Sequence, residues 1–535
     1  MSVHESALHR IFRGHSIRLS RGLVHAILFV SILSLGTFAR LWEYRKLPPG
    51  LNVDEASIGV DAYDLSKYGV DRNGVSYPTQ FIAFGQEQNA LYGYLLVPLV
   101  GAFGLRTVIV RLPMLVFALF TLPVIYVSMR RHFSRGLGLL SMFVIAISPW
   151  HVMLSRWGLD VNTFPFVLTL GFVCMLETAR NDKWFVPACV FLGLCFYTYG
   201  PSYLIVPFFL ATSAALLLHK RLLSWRYAIA GIALFCLFAI PIALFLAINT
   251  FKLDSVHFGP VTIPRLPTAV PRFLSATQGL HGNFAGALLT NLERLAAAVV
   301  LQTDDTTYNV LNPYGYFYGI TFPLVALGVA VLYQRFRHSQ HIGSALVLLL
   351  LTGCLLLGVL QPVNVNRINS VFIPLLLLIA AALDWIWQRH RWIRLPSVLI
   401  LLAAFVAFNA AYHSARYAQV LAAKFRPGLL SAVHFASTVT PGPVCVTDEP
   451  GQAYIFVLFS EKLDPKSYLQ NIKYVDVATP ERFVASMSRY TFGRATCPLR
   501  PQPAYVLYKT EMPPQLGNKY AYEFFGNYVV YYLKP

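Results

Sequence analysis

The feature that most constrains this chain is a series of long apolar segments separated by short basic tracts. A helix needs about 20 mostly apolar residues to cross the hydrocarbon core of a bilayer. Hydrophobic residues make up 56% of the 535 residues and charged residues only 13%, which excludes an ordinary soluble globular protein. The segments predicted to span a membrane, eleven in all, are 23–41, 108–128, 136–150, 162–179, 184–199, 202–218, 227–249, 316–334, 343–360, 368–387 and 395–412.

Basic residues are concentrated in every second connection between these segments. The tracts are Arg10, Arg13, Arg18 and Arg21; Arg130, Arg131 and Arg135; Arg180 and Lys183; Lys220, Arg221 and Arg226; Arg335 and Arg337; and Arg389, Arg391 and Arg394. This alternation follows the positive-inside rule, so it predicts a cytoplasmic N-terminus and, after an odd number of spans, an extracytoplasmic C-terminus. The net charge of +19 therefore reflects membrane orientation, and no nucleic-acid partner is expected.

The chain divides into three predicted parts. Residues 1–22 form a cytoplasmic N-terminus, residues 23–412 a multi-spanning all-α membrane domain, and residues 413–535 an extracytoplasmic α/β domain. Two connections outside the membrane are long, at about 42–107 and 250–315. The partners of such a chain include the surrounding membrane lipids, and its predicted location is the cell (inner or plasma) membrane.

The apolar run 91–105 is short for a span and contains three glycines and a proline, so it is predicted to be interfacial or re-entrant. The first span, 23–41, is followed by no small-residue cleavage site. We therefore predict that it is a retained anchor rather than a removed signal peptide.

The tail has the composition of a small soluble domain. Its predicted strands are 444–448, 504–508 and 528–532, and its predicted helices are 428–438 and 481–488. Five of the seven cysteines lie in the apolar segments, and the other two are Cys445 and Cys497 in the tail. Because two cysteines in an oxidising compartment favour a disulfide, we predict that Cys445 and Cys497 are joined.

An acidic pair, Asp54-Glu55, opens the first outer connection just after the first span. Carboxylates held near the membrane surface suit a general base acting on a lipid-anchored substrate. The simpler interpretation is a solvated loop charge, with Asp54 capping the start of a helix.

Four arginines lie near the same predicted outer face, where basic residues are normally scarce. They are Arg106, Arg111, Arg156 and Arg367. One or two could simply reach lipid headgroups, but four together indicate an anionic site, since the planar guanidinium suits phosphate. His151, at the outer end of the third segment, is a candidate for proton relay or phosphate binding, and an interfacial histidine without a function is the alternative.

Several short pieces of sequence form a set: 49–56 (PGLNVDEA), 91–95 (LYGYL), 110–113 (VRLP), 148–151 (SPWH) with 155–156 (SR), and 197–199 (YTY). Together they resemble the membrane glycosyltransferases of GT-C fold, of the protein O-mannosyltransferase and lipid A aminoarabinose transferase type. The resemblance covers roughly residues 23–412 and implies a GT-C membrane domain of about eleven transmembrane helices.

The resemblance also implies an activity: transfer of a sugar from a polyprenyl-phosphate donor to an envelope glycan, lipid or protein, usually with inversion. It implies that Asp54 is the general base that deprotonates the acceptor hydroxyl, with Glu55 beside it, and that Arg111 belongs to the charge network of the site. Arg156, His151 and Arg367 are further candidates for substrate binding.

One departure from the family concerns residues 85–90, where many relatives carry a lysine. This chain has Glu87 there and no lysine, so the outer arginines are expected to neutralise the donor phosphate, and Glu87 is a candidate for substrate contact. A divalent ion, Mg²⁺ or Mn²⁺, held by Asp54, Glu55 or Asp160 is another source of positive charge.

Two other functions remain open from the sequence. A lipid-linked glycan polymerase or ligase would share the compartment, the carrier and the arginines, but would not need the acidic pair. A transporter or flippase of lipid-linked sugars usually carries charges in mid-span or paired repeats, and neither is visible here.

Overall fold

The computed structural model describes residues 20–267, 284–303, 306, 308–475, 481–493, 497, 501–511 and 519–534. Three arginines of the predicted N-terminal basic tract, Arg10, Arg13 and Arg18, lie outside the described residues.

Helices dominate the described residues, and we number them in chain order. They are α1 (Arg21–Leu41), α2 (Val53–Tyr68), α3 (Ala90–Phe103), α4 (Thr107–His132), α5 (Arg135–Ile147), α6 (Pro149–Leu154), α7 (Phe164–Thr178), α8 (Phe185–Leu194), α9 (Ser202–His219), α10 (Trp225–Phe251), α11 (Phe284–Ala296), α12 (Phe322–Ser339), α13 (Ile342–Leu360), α14 (Phe372–Arg389), α15 (Arg394–Tyr412), α16 (Ala415–Phe425), α17 (Leu429–Val439), α18 (Tyr454–Glu461) and α19 (Pro465–Leu469).

Within the described residues, ten helices are long and apolar enough to cross a membrane, so the chain is a multi-pass membrane protein. With their flanking turns they are Gly22–Leu41, Thr107–His132, Asp160–Thr178, Ser202–His219, Trp225–Phe251, Phe284–Leu301, Gly319–Ser339, Ile342–Leu360, Asn369–Arg389 and Arg391–Tyr412. Nine of them coincide with predicted spans.

The other two predicted spans are shorter helices. The segment 136–150 ends as α5 at Ile147, because Pro149 starts a new helix and the residue before a proline disfavours helical backbone. The segment 184–199 contains the ten-residue α8, which tightens into a 3₁₀ turn at Cys195–Tyr197.

The one long helix that was not predicted is Phe284–Leu301. It lies inside 250–315, which the sequence analysis predicted to be a loop, so that prediction was wrong for these residues. Its apolar character was masked by Asn291 and two neighbouring charged residues. Asn291 donates from Nδ2 to the carbonyl of Val359 (3.0 Å), in the last turn of α13. The middle of this helix therefore lies level with one end of α13, which fits an amphipathic helix at the membrane interface. The count of eleven crossings stays a prediction, which requires α5 and α8 to cross the membrane and Phe284–Leu301 to lie at its surface.

The tail contains a seven-stranded mixed sheet, whose strands follow those of two earlier hairpins in chain order. They are β5 (Val444–Val446), β6 (Lys473–Tyr474), β7 (Val484–Met487), β8 (Tyr490–Phe492), β9 (Ala504–Tyr508), β10 (Tyr520–Phe525) and β11 (Tyr528–Leu533). Their order across the sheet is β10-β11-β9-β5-β8-β7-β6. The central strand β5 pairs in parallel with β8 and β9, and the other pairs are antiparallel. The predicted helix at 481–488 is wrong, because residues 484–487 of this segment form β7. Cys445 and Cys497 are joined by a disulfide, with Cα atoms 5.9 Å apart.

Two hairpins lie in the connections between membrane helices: β1 (Gln80–Ala83) with β2 (Gln86–Asn89), and β3 (Val256–Phe258) with β4 (Val261–Ile263). A bridge between Pro78 and Thr262 joins the two connections. Both predicted outer connections therefore meet on one side of the membrane domain.

The tail packs on that same side. Leu51 donates its backbone N–H to the carbonyl of Phe425, and Gly50 has a φ of 77°. A Cβ on Gly50 would lie 2.1 Å from that carbonyl oxygen, so only glycine fits there. Tyr468 of the tail donates its hydroxyl to the carbonyl of Arg72 in the first connection (2.7 Å). These bonds place the tail over the start of α2.

A buried ion pair fixes the path of the chain from α1 to α2. Glu55 Oε1 accepts from Arg111 Nε (2.8 Å) and Oε2 from Arg111 Nη2 (2.9 Å). The same carboxylate accepts the backbone N–H groups of Asn52 (3.0 Å) and Gly158 (2.8 Å). Arg111 also donates to the carbonyls of Pro48 (2.8 Å) and Gly50. Because every nitrogen of the guanidinium and both oxygens of the carboxylate have a hydrogen-bond partner, the two charges can remain buried.

The topology is tested by reporter fusions after Arg226, Lys252 and Arg416. We expect the fusion at Arg226 to report from the cytoplasm and those at Lys252 and Arg416 from outside. Helix α10 lies between Arg226 and Lys252, and the tail packs on the same side of the membrane domain as the predicted outer connections. A cytoplasmic signal from the fusion at Arg416 would contradict eleven crossings.

Replacing Glu55 with Gln should destabilise the protein. The change leaves the Arg111 guanidinium buried without its anion, and breaking such a pair costs about 3–5 kcal/mol. The control is Glu43→Gln, because the pair of Glu43 with the exposed Lys46 contributes at most about 1 kcal/mol. Thermal unfolding of both purified variants measures the difference. A Glu55→Gln protein with wild-type stability and no activity would instead indicate a chemical role.

Candidate functional site

A polar cavity of about 360 Å³ lies next to Asp54. Its walls come from the start of α2, from β2, from the turns that precede α7 and α9, and from the loop between α13 and α14. The lining residues are Asp54, Gln86, Gln88, Leu159, Asp160, Val161, Tyr199, Pro201, Gln361, Asn364, Asn366 and Arg367. The volume is at the small end of the range for ligand sites in proteins.

Asp54 lies in the first turn of α2 and is half-buried. Asn52 caps this helix: its side chain accepts the backbone N–H of Asp54 (2.9 Å), while Glu55 accepts that of Asn52. Successive helical residues point about 100° apart, so Glu55 faces the interior and Asp54 faces the cavity. The positive end of the helix dipole favours the ionised carboxylate, which is the form that a general base needs.

Strand β2 divides its side chains between the cavity and the interior. Gln86 and Gln88 line the cavity, whereas Glu87, between them, points to the opposite face and is buried. Ser57 donates its hydroxyl to Gln88 Oε1 (2.9 Å). This bond fixes the amide of Gln88, whose nitrogen can then donate into the cavity.

Asp160 supplies a second carboxylate to the wall. Its Oδ2 accepts from the backbone N–H (3.0 Å) and the Nδ2 (2.8 Å) of Asn89. These bonds attach the turn before α7 to the end of β2, so the two walls hold a fixed separation.

The loop between α13 and α14 contributes the cation of the cavity, Arg367. The backbone N–H of Arg367 donates to the Asn364 side chain (2.9 Å), and its Nη1 donates to the carbonyl of Pro362 (3.2 Å). Gln361 donates to the carbonyl of Arg367 (3.2 Å), and Gln361 Oε1 is buried without a hydrogen-bond partner. An unmatched buried acceptor in a cavity wall is suited to a ligand hydroxyl.

The structure separates the other predicted phosphate contacts from this cavity. Arg111 donates its hydrogen bonds to Glu55 and to the backbone carbonyls of the 48–50 turn. Arg156 donates to the carbonyls of Leu47 (3.3 Å), Ala39 (3.0 Å) and Trp42. Both guanidinium groups are buried and neither residue lines the cavity. They hold the backbone next to the cavity and do not face it. Arg106 is exposed and also lies outside the lining.

His151 is buried with its Nδ1 2.6 Å from Nη2 of Arg40. Arg40, near the end of α1, also donates to the carbonyls of Gly36 and Ala146. Sequence reasoning did not select Arg40, although an arginine inside an apolar segment is a signal for a buried polar partner. His151 thus joins helices and does not line the cavity.

Sequence reasoning also missed the carboxamides of the cavity: Gln86, Gln88, Gln361, Asn364 and Asn366. Asparagine and glutamine are common residues, so these carboxamides could not be recognised as a group before the fold brought their two separate segments together. Their convergence makes the wall rich in neutral donors and acceptors.

A second group of carboxylates, Asp61, Asp64 and Asp71, is buried around Arg72. Asp61 Oδ1 accepts the backbone N–H of Arg72 (3.2 Å), with Arg72 Nε 3.7 Å away. Burial, together with repulsion from Asp61 and Asp71, raises the pKa of Asp64 to about 9. Burial also raises the pKa of Asp61 to about 6 against the opposing effect of Arg72. Asp64 is therefore protonated at neutral pH, and the group supports the first connection from outside the cavity lining.

The described residues do not bring together three His, Cys, Asp or Glu side chains that could hold a metal ion. The cavity offers two carboxylates, Asp54 and Asp160, and Asp160 already accepts two bonds from Asn89. This donor set does not form a protein-built metal centre. It fits only a hard cation that shares its ligands with a bound phosphate.

Comparisons with known proteins agree with this architecture. Residues 91–245 match the family model described as dolichyl-phosphate-mannose-protein mannosyltransferase. Comparison of the sequence with curated proteins finds no match.

Two solved structures illustrate the likeness of the fold. ArnT from Cupriavidus metallidurans, bound to undecaprenyl phosphate, is 14% identical with a TM-score of 0.54, over 96% of this chain and 98% of ArnT. The oligosaccharyltransferase of Archaeoglobus fulgidus, in complex with Zn and sulfate, is 13% identical with a TM-score of 0.52, over 81% of this chain. The chain spans 61% of the length of that oligosaccharyltransferase.

The multi-pass helical domain, the small C-terminal sheet and the likeness to ArnT and the oligosaccharyltransferase show that this chain has the GT-C fold, and its residues 91–245 are similar to the dolichyl-phosphate-mannose-protein mannosyltransferases.

Proposed function

We propose that the protein transfers a sugar from a polyprenyl-phosphate donor to an envelope lipid, glycan or protein acceptor at the outer face of the membrane. The observation that carries this proposal is the presence of Asp54 and Arg367 on the walls of one polar cavity. A carboxylate and a guanidinium facing the same space provide a base for a hydroxyl and a counter-charge for a phosphate.

The proposed step is a single displacement with inversion. The acceptor oxygen forms a bond to the anomeric carbon as Asp54 takes the hydroxyl proton. The bond from that carbon to the phosphate oxygen breaks, and its electron pair leaves with the polyprenyl phosphate. Arg367 stabilises the negative charge that grows on the phosphate, and such stabilisation is usually the larger contribution to the rate.

Glu55, Arg111 and Arg156 have a supporting role in this proposal. Glu55 and Arg111 hold the first turn of α2 in place, so that Asp54 stays directed into the cavity. Arg156 holds the end of α1 beside it. Small displacements of a base reduce catalysis strongly, which makes these buried contacts important without substrate contact.

The carboxamides would recognise the sugar. Gln88 offers an amide nitrogen and Gln361 an unmatched carbonyl oxygen, so the wall can both donate to and accept from hydroxyl groups. Arg367 is the cation of the lining, which suits one phosphate beside a neutral sugar. Tyr199 contributes an aromatic surface against which the apolar face of a ring can pack.

The related structures support a lipid-phosphate donor. ArnT was crystallised with undecaprenyl phosphate, and the archaeal oligosaccharyltransferase AglB has a structure with an inhibitory peptide and a dolichol-phosphate. If a divalent cation such as Mg²⁺ accompanies the donor, Asp54 and Asp160 would hold it, and it would add positive charge next to the phosphate.

Asp54→Asn should lower turnover by at least about 10²-fold, because the amide keeps the shape of the side chain but cannot accept the proton. The assay is sugar transfer from a radiolabelled polyprenyl-phosphate sugar by purified protein in lipid vesicles, alongside a check of thermal stability. Asp64→Asn is the matched control: it makes the same change on the same helix, outside the cavity lining, at a side chain already protonated at neutral pH.

Other outcomes identify the alternatives. Wild-type transfer by Asp54→Asn protein would reject Asp54 as the base and favour a lipid-linked glycan polymerase or ligase. Movement of the labelled lipid across the vesicle membrane without transfer would favour a transporter.

Arg367→Gln should lower kcat/KM for the donor by about 10²–10³-fold, because one donor to the developing charge is lost. Arg367→Lys should recover only part of this loss, since an ammonium group cannot reproduce the planar fork. Arg106→Gln removes an exposed arginine outside the lining and should leave kcat/KM unchanged. Equal losses in Arg106→Gln and Arg367→Gln would show that surface charge, rather than the cavity, binds the donor.

A further inference from the structure

A second cavity of about 550 Å³ lies between α1 and α15, with α5 beneath it. We call it the α1–α15 groove. Its walls are almost entirely apolar and include Leu28 and Ile32 of α1, Leu139 and Phe143 of α5, and Val398 and Leu402 of α15. Its size falls in the range of binding sites for small organic ligands.

The groove lies at the opposite end of the membrane domain from the Asp54 cavity. The groove residues His25 and Leu28 belong to the first turns of α1. The far end of α1 is held by Arg156 through the carbonyl of Ala39, next to the turn that leads into α2. Since α1 has 21 residues, about 30 Å separates its two ends. The groove therefore belongs to the other leaflet.

The mouth of the groove is polar and positive. Arg394, the exposed first residue of α15, donates from Nε (3.1 Å) and Nη2 (2.8 Å) to the carbonyl of Trp387, which fixes its guanidinium at the rim. His25 lines the same end. Arg135 and Arg391 are exposed beside it, at the start of α5 and just before α15.

The acid in the lining does not offset this charge. Asp384 is buried and accepts from Arg335 Nη2 (3.4 Å) and Gln388 Nε2 (2.8 Å). Its negative charge is therefore already matched inside the protein. The exposed charges at the mouth are those of the arginines, and they attract an anion at the depth of lipid headgroups.

We propose that the α1–α15 groove binds one phospholipid with an anionic headgroup. One acyl chain would lie between Leu28, Phe143 and Val398, and the headgroup would contact Arg394. The apolar walls and the cationic rim match the two ends of such a lipid, and the groove faces a leaflet that supplies it. This site is separate from the donor cavity and does not depend on the proposed glycosyl transfer.

The test is native mass spectrometry of the full chain, purified in mild detergent and titrated with phosphatidylglycerol or phosphatidylcholine of identical acyl chains. We expect one phosphatidylglycerol to bind at least about fivefold more tightly than phosphatidylcholine, because one basic residue near an anionic headgroup strengthens binding by about that factor. Val398→Trp fills the groove and should abolish this binding. Leu399→Trp is the matched control, because Leu399 is an exposed neighbour on the same helix that does not line the groove.

The headgroup contact has its own pair of variants. Arg394→Gln should reduce the preference for phosphatidylglycerol about fivefold. Arg226→Gln, at an exposed arginine in the first turn of α10 outside the groove, should leave this preference unchanged. Thermal unfolding with and without added lipid provides a second readout: added phosphatidylglycerol should stabilise the wild type and the Leu399→Trp protein but not the Val398→Trp protein.

Several results would overturn the proposal. Equal binding of the two lipids by the wild type would reject the anionic headgroup. Unchanged binding in Val398→Trp, or equal loss in the two tryptophan variants, would show that lipid is bound elsewhere on the surface. A dimer that Val398→Trp dissociates would identify a second copy of the chain as the occupant.

Discussion

The pairing of Glu55 with Arg111 is the interaction on which the candidate site depends. It brings together the turn after α1, the first turn of α2, the start of α4 and the loop at Gly158. A buried charge pair is costly unless all its hydrogen-bonding capacity is used, and here both side chains are matched on several sides. Its main effect is geometric, since it fixes the helix that carries Asp54.

This arrangement gives two adjacent acidic residues different tasks. Asp54 and Glu55 are indistinguishable in charge, but their directions on the helix separate them: one faces the cavity and the other the interior. We propose chemistry for the first and support for the second. The same division holds among the arginines, where Arg367 lines the cavity while Arg111 and Arg156 hold the backbone around it.

The sequence was sufficient for the membrane class and most of the spans, because apolar length and basic tracts are local signals, and the resemblance of its short motifs to a known family was sufficient for the GT-C fold. It was insufficient where neighbours decide the outcome. The helix at Phe284–Leu301 was hidden by Asn291, whose partner on α13 is distant in sequence. Residues 481–488 were predicted as a helix, but residues 484–487 pair with the neighbouring strands and belong to a sheet. Which arginine faces the cavity depends on long-range contacts that no local pattern encodes.

The walls of the Asp54 cavity come from segments scattered between residues 54 and 367. The ribosome makes Asp54 early and Arg367 late, so the cavity can be completed only after most of the membrane helices have been inserted and packed. Contacts so distant along the chain form late and cooperatively. During biosynthesis the carboxylate is thus present long before its cationic counterpart, and a truncated chain ending near residue 245 would contain the matched family segment without a working site.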